Sequence, residues 1–152
     1  IERFTELTKL FCANYPLARI LLIAAPHERS IVEPLINAFP SDKLVNLLNY
    51  AYDLDQIAAC LKQCKLFIGN DSGLMHMAAA VGIPTIGLFG PSREENYGPF
   101  DSYLLAKDYP RNRVIRIPQA YDELAKMQGF SHQSQDCYMV GLTVDHVWPA
   151  LK

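Results

Sequence analysis

Apolar positions along the chain fall into two patterns. The first eleven residues repeat apolar side chains at helical spacing, and Asn14-Tyr15-Pro16 ends the predicted helix. Continuous apolar runs, typical of strands that are covered on both faces, follow at residues 19–25, 44–48, 65–69 and 84–89. Helices are predicted between and after these runs, at residues 31–39, 74–81 and 120–128. Another helix begins at Asp53, because Asp53 and Gln56 have the spacing of a capping box.

The pattern weakens after Pro99. Residues 102–106 and 113–117 are candidate strands, residues 129–137 a polar loop, and Thr143 begins a closing helix. Strands that alternate with helices across short loops predict an α/β fold, a Rossmann-like parallel sheet with flanking helices.

The order of the elements adds two expectations about the sheet. Strands 65–69 and 84–89 are predicted to be adjacent interior strands that end at the same edge. The chain opens on a helix where a fold of this type opens on a strand. We therefore expect a further strand between the first two-strand unit and strand 65–69.

The composition is that of one globular domain. The chain has 152 residues, half of them hydrophobic and a fifth charged, and its formal net charge of −2 gives no basic footprint for nucleic acid. No apolar run approaches the roughly 18 residues of a membrane span. The four cysteines lack the paired spacing of a zinc site; they are Cys12, Cys60, Cys64 and Cys137. We expect no metal, no disulfide and a cytoplasmic location.

The segment FIGNDSGLMHMAAAVGIPTIGLFGPS, residues 67–92, contains the main candidate site. Ligands of open α/β sheets bind beyond the carboxyl ends of strands, which here deliver Asn70-Asp71-Ser72-Gly73 and Gly90-Pro91-Ser92. Gly73 leaves room for a ligand, and the free N–H groups that begin the next helix suit a phosphate. Ser72 can add a hydroxyl, and His76 in the first turn can point the same way.

An ordinary turn and helix start would explain the same spacing. The chain has neither G-x-G-x-x-G nor G-K-[ST], which disfavours a dinucleotide enzyme or a P-loop NTPase.

The same segment resembles the signature of the family 9 glycosyltransferases, the ADP-heptose:lipopolysaccharide heptosyltransferases. That signature reads D-[ST]-G-x-x-H-x-A-A-A, a spacer with Pro, and a strand that ends in F/Y-G-P-[ST]; residues 71–80 and 89–92 match every position. Residues 53–70 and 143–151 resemble the family more weakly. The resemblance implies the two-domain GT-B architecture. Residues 1–152 would be the carboxyl-terminal, nucleotide-sugar-binding half, without its first strand, its lysine-bearing loop and the amino-terminal acceptor domain.

The resemblance also implies roles for single residues. Asp71 would bind hydroxyls of the transferred sugar, and the backbone of Ser72 and Gly73 would hold the diphosphate with support from His76. Glu28 lies where the family binds the ribose hydroxyls with a carboxylate, which can accept two hydroxyl donors; an ordinary surface glutamate is the alternative. No catalytic residue is assigned, because the family's catalytic Asp belongs to the amino-terminal half. No metal and no cofactor are expected.

Two further groups are weaker candidates. Residues 49–53 lie where the family frames the adenine. Arg93 could meet a phosphate and Arg111, Arg113 and Arg116 a phosphorylated acceptor, although solvated arginines would explain the same pattern.

The implied function is inverting transfer from an ADP-sugar, with ADP-heptose expected, to the lipopolysaccharide core. The expected partners are that donor and an acceptor held by the other half, with no nucleic acid and a peripheral contact at the cytoplasmic face of the inner membrane. Two alternatives stay open: a non-catalytic GT-B-like binding module, and a sugar-nucleotide epimerase-like enzyme, which shares the GT-B shape and an Asp-Ser-Gly turn. His76, Ala78-Ala79-Ala80 and Phe89-Gly90-Pro91-Ser92 favour the transferase.

Overall fold

The structure is a computed structural model that describes residues 1–50, 52–100, 111–127, 130 and 138–152. The helices are α1 (Glu2–Asn14), α2 (Arg29–Asn37), α3 (Leu54–Lys62), α4 (Gly73–Ala80), α5 (Glu94–Tyr97), α6 (Tyr121–Leu124) and α7 (Val144–Val147). The strands are β1 (Ile20–Leu22), β2 (Leu44–Asn46), β3 (Phe67–Asn70), β4 (Thr85–Phe89) and β5 (Asn112–Arg116). Short 3-10 turns span Pro26–Glu28, Leu47–Asn49 and Trp148–Leu151.

The five strands of the described residues form two parallel sheets. β1 pairs with β2, with Leu21 opposite Val45. In the second sheet β4 lies between β3 and β5, so that Gly87 has Gly69 on one side and Val114 on the other. The predicted parallel α/β class is confirmed.

The prediction that the runs 65–69 and 84–89 are both interior strands is half right. β4 is interior and all five of its residues are buried. β3 pairs with β4 as expected, but among the described strands it lies at the edge of its sheet, so the interior prediction for this run is wrong. No described strand pairs with β3 on the side away from β4. A further strand between β1 and β3 would require that these two strands are not paired with each other, and they are not. The further strand itself stays a prediction.

Several element ends differ from the predicted ones. Only Ile20–Leu22 of the run 19–25 is a strand, because the chain turns at Pro26. The run 44–48 leaves the sheet at Asn46, whose side-chain oxygen accepts the N–H of Leu48 at 3.0 Å and closes a turn. The helix predicted for residues 120–128 is the single turn α6, with residue 128 outside the described range. The predicted strand 102–106, and the predicted loop 129–137 apart from Phe130, also lie outside it.

The capping box at the start of α3 is confirmed. The Asp53 carboxylate accepts the N–H of Gln56 at 2.8 Å, and the Gln56 side chain accepts the N–H of Asp53 at 3.1 Å. Two of the donors that begin the helix are therefore satisfied within the chain.

The three-stranded sheet is covered on both faces, because successive side chains of a strand point to opposite sides. Ile86 and Leu88 of β4 pack in a cluster with Leu7 of α1 and Val147 of α7. Gly87 faces the other side, where Met75 of α4 lies against it. α4 is thereby fixed on the sheet directly behind the strand ends that carry the candidate site.

A second cluster links the two sheets. Leu61 of α3, Ala78 of α4 and Ile83 are buried together, and Ile23, which directly follows β1, packs against them. The end of β1 is thus tied to the helix that begins at Gly73.

Candidate functional site

Two loops leave the three-stranded sheet side by side. β3 ends at Asn70 and its parallel neighbour β4 ends at Phe89, so both chains emerge at the same edge. The N–H of Asp71 donates to the carbonyl of Leu88 at 3.2 Å, which holds the first loop against β4. Ser72 is extended, with φ −161° and ψ 167°, and the chain enters α4 at the next residue. This is the edge at which the sequence predicts a ligand site.

The start of α4 carries free backbone donors. The carbonyl of Ser72 accepts the N–H groups of Met75 at 3.1 Å and His76 at 3.3 Å, but the Ser72 side chain makes no capping hydrogen bond. Within the described ranges, no acceptor is found for the N–H groups of Ser72, Gly73 and Leu74. These groups lie at the positive end of the helix dipole, where an anion is stabilised.

The packing of the fold does not require a glycine at position 73. A Cβ built on Gly73 would meet no atom within 4 Å, and its φ is not positive. Gly90 in the second loop differs, since its Cβ would lie 2.5 Å from Sδ of Met139. The open side of Gly73 is therefore accessible to a ligand, whereas Gly90 permits the closing part of the chain to pack against the loop.

The side chains around Gly73 are free to bind a polar ligand. Asp71 is half-buried and makes no ion pair with the described part of the chain. Ser72 and His76 are exposed, and the imidazole of His76 has no hydrogen-bond partner among the described residues. The structure thus places Asp71, Ser72, Gly73 and His76 together beyond the end of β3.

Glu28 lies beyond the end of the other sheet. It closes the 3-10 turn that follows β1, and its Oε2 accepts the N–H of Ala25 at 2.7 Å. Its second carboxylate oxygen remains available for a hydroxyl donor. Glu28 therefore also stabilises the local turn, a role that the sequence analysis did not assign to it.

The arginines do not form one cluster. Arg111 precedes β5 and donates to the carbonyl of Gly82 at 3.5 Å, while Arg113 is exposed near the start of the strand. Arg116 ends β5 and turns toward the loop after β4, where its Nη1 donates to the carbonyl of Gly90 at 2.9 Å. Arg111 thus lies before β5, while Arg113 and Arg116 lie at different points within it. The sequence alone does not distinguish Arg116 from the other two arginines.

Arg93 is held by its neighbours. Its Nη2 lies 2.6 Å from Oδ1 of Asp122, and its guanidinium lies 4.2 Å from the centre of the Tyr121 ring. The phosphate contact considered for Arg93 would have to compete with both.

Other features of the described residues are an apolar cavity and a thiol with a raised pKa. A largely apolar cavity of about 390 Å³ lies between α1, α7 and the ends of β3 and β4. Burial, and secondarily Cys60, raises the pKa of the Cys64 thiol, which donates to the carbonyl of Cys60 at 3.6 Å.

The described ranges hold no group of three or more His, Cys, Asp or Glu that could bind a metal. They also contain no helix that is long and apolar enough to cross a membrane.

Known proteins resemble this chain in sequence and in fold. The model of glycosyltransferase family 9 (heptosyltransferase) matches residues 1–108. Lipopolysaccharide heptosyltransferase 2 of Salmonella typhimurium is 30% identical over 121 residues, which are 76% of this chain and 32% of that protein. The chain thus spans about a third of the length of this curated relative.

Two solved structures share the fold. The structure of the E. coli heptosyltransferase WaaC with ADP superimposes with a TM-score of 0.71 and 24% identity, over 99% of this chain and 38% of that one. WaaC with ADP-2-deoxy-2-fluoro heptose superimposes with a TM-score of 0.67 and 24% identity, over 99% of this chain and 36% of that one.

Proposed function

Because the chain belongs to glycosyltransferase family 9, we propose that residues 1–152 form the nucleotide-sugar-binding half of a GT-B heptosyltransferase. The proposed reaction is transfer of a sugar from an ADP-sugar, with ADP-heptose as the expected donor, to the lipopolysaccharide core. The observation that carries the proposal is the open start of α4. Three backbone N–H groups lack an acceptor there among the described residues, and a Cβ built on Gly73 would meet no atom within 4 Å.

The proposed roles follow from the chemistry of each group. The N–H groups of Ser72 and Gly73 hold the diphosphate, because they are free donors at a helix N-terminus. His76 donates a further hydrogen bond from the same turn. Asp71 binds hydroxyls of the sugar, because an ionised carboxylate accepts hydrogen bonds and donates none. Glu28 binds the ribose hydroxyls with the oxygen that the turn does not use.

The reaction in this proposal is a single displacement that inverts the configuration at the sugar carbon. The acceptor oxygen forms a bond to that carbon as the bond to the diphosphate breaks, and a carboxylate of the acceptor-binding half takes the hydroxyl proton. ADP leaves with the bonding electron pair. The N–H groups at the start of α4 stabilise the charge that builds on the departing diphosphate.

The relatives support this choice of donor. WaaC, which shares the fold across 99% of this chain, was solved with ADP and with an ADP-linked fluoro-heptose. The proposal places the protein in the cytoplasm, with peripheral contact at the inner membrane, because the lipopolysaccharide acceptor would be a membrane glycolipid.

The test is ADP release by the full-length protein. ADP should appear only when both ADP-heptose and a lipopolysaccharide-core acceptor are present, and the UDP-linked or GDP-linked sugars should give no transfer. His76→Ala should weaken ADP binding by about 1–3 kcal/mol, as expected for loss of a hydrogen bond to a charged group.

Two further measurements, of ADP binding and of sugar epimerisation, separate the alternatives. ADP binding without transfer to any core acceptor would favour the non-catalytic binding module. Interconversion of sugar epimers without an acceptor would favour the epimerase-like enzyme. Either result would contradict the proposed transfer.

A further inference from the structure

Arg116 makes a concentrated set of contacts at the end of β5. Its side chain is only 14% exposed, and its Nε donates to Oε2 of Glu94 at 2.6 Å. Its Nη1 donates to the carbonyls of Gly90 at 2.9 Å and Gln119 at 3.1 Å, and its Nη2 donates to the carbonyl of Ser92. Four of the five N–H groups of this guanidinium are therefore engaged within the chain.

Two of these acceptors belong to the loop that follows β4. Residues 90–92 lie in neither a helix nor a strand, and Pro91 has no N–H to donate. A planar guanidinium that holds the carbonyls on both sides of Pro91 fixes the peptide planes of Gly90 and Ser92. Glu94 compensates the charge of Arg116 from the first turn of α5, so the loop is tied to β5 at both of its ends.

The loop that Arg116 holds lies beside the candidate ligand site. It emerges beside Asp71-Ser72-Gly73, because β3 and β4 are parallel neighbours and the N–H of Asp71 donates to the carbonyl of Leu88. The hydroxyl of Ser92 has no hydrogen-bond partner among the described residues. The loop also contacts Met139, whose Sδ lies where a side chain at Gly90 would be.

We propose that Arg116, supported by Glu94, is a positioning residue for the donor site: it holds Gly90-Pro91-Ser92 as the second wall beside the start of α4. This inference rests on the proposed function, since the ligand between the two loops is taken to be the diphosphate. Arg116 acts through the loop and not as a phosphate ligand, because its donors are already used by carbonyls and by Glu94.

The experiment is titration calorimetry of the full-length protein with ADP. Arg116→Ala should weaken ADP binding by about tenfold or more, because the loop loses a charge-assisted contact at each of two carbonyls. Arg116→Lys should not restore affinity, since one ammonium cannot reproduce the planar fork. Arg113→Ala is the matched control, because it removes an exposed arginine from the same strand, and it should bind ADP as the wild type does.

Chemical rescue distinguishes positioning from a general loss of structure. Added guanidinium at millimolar concentration should restore much of the ADP affinity of Arg116→Ala by occupying the vacated site. It should not improve Gly73→Val, in which the defect lies at α4. A folded Arg116→Ala protein that loses affinity and is not rescued would overturn the positioning role.

Two further outcomes keep this inference separate from the proposed function. If Arg116→Ala binds ADP normally while Gly73→Val does not, the positioning role is wrong and the diphosphate site stands. If both variants bind ADP normally, the proposed function itself fails. Should Arg116→Ala not fold, Glu94→Gln gives the second test, because it keeps the volume and removes the charge; unchanged ADP affinity in that variant would refute the role of the pair.

Discussion

One added methyl group at Gly87 tests how closely α4 packs on β4. A Cβ at this position would lie 2.5 Å from Sδ of Met75 and 2.9 Å from Cε2 of Phe89. Both side chains have no solvent exposure at all, so neither can move outward to make room. Gly87→Ala must therefore compress the contact that fixes the helix behind the candidate site.

The size of the effect follows from two opposing contributions. Overpacking a core by a methyl group costs about 1–3 kcal/mol, whereas replacing a strand glycine by alanine recovers about 0.5–1 kcal/mol of chain entropy. The midpoints of the two ranges leave a net loss of roughly 1 kcal/mol in the free energy of unfolding. Gly73→Ala is the matched control: it meets no atom within 4 Å and should leave stability unchanged or raise it by up to about 1 kcal/mol.

The assay is urea unfolding of the full-length protein and both variants, followed by circular dichroism. The unfolding midpoint of Gly87→Ala should fall at an unchanged slope, while that of Gly73→Ala should not fall. Equal midpoints for Gly87→Ala and the wild type would refute the packing, and equal losses in both variants would refute the contrast between the two glycines.

Three further predictions concern other parts of the fold. Asp53→Ala should lower the free energy of unfolding by about 0.5–2 kcal/mol, because the capping box of α3 is lost; an unchanged urea midpoint would contradict this. Leu61→Ala should cost about 2–5 kcal/mol in the same measurement, since Leu61 is 2% exposed in the cluster that joins the two sheets, and a loss below that range would mean a loose cluster. The raised pKa of Cys64 leaves less thiolate at pH 8, so its alkylation by iodoacetamide should be slower than that of a cysteine peptide and should accelerate as the pH rises; equal rates would refute the burial.

The sequence predicts those features that depend on neighbours along the chain. Apolar runs identify the strands, the Asp53–Gln56 spacing identifies the capping box, and the polar residues after β3 predict a ligand site at that edge. Each of these signals is local, so one stretch of sequence contains all of it. The family signature is local in the same way, which is why residues 71–80 and 89–92 suffice to suggest it.

The features that the sequence does not predict depend on distant contacts. Arg116 lies between the apolar Ile115 and Ile117, and its acceptors are mostly backbone carbonyls, which every sequence has. The contact between Gly90 and Met139 joins residues that are far apart in the chain. The edge position of β3 likewise depends on which strands pair, and an apolar run does not specify its partner.

The central claim is that a diphosphate binds directly to the backbone at the start of α4. Its most direct test is titration calorimetry with ADP on the full-length wild-type protein and on Gly73→Val, with circular dichroism to confirm that both are folded. A valine side chain would occupy the open space beside Gly73 without touching the rest of the fold at its Cβ. ADP binding should therefore largely disappear in a folded Gly73→Val protein, and equal ADP affinity in the two proteins would contradict the claim.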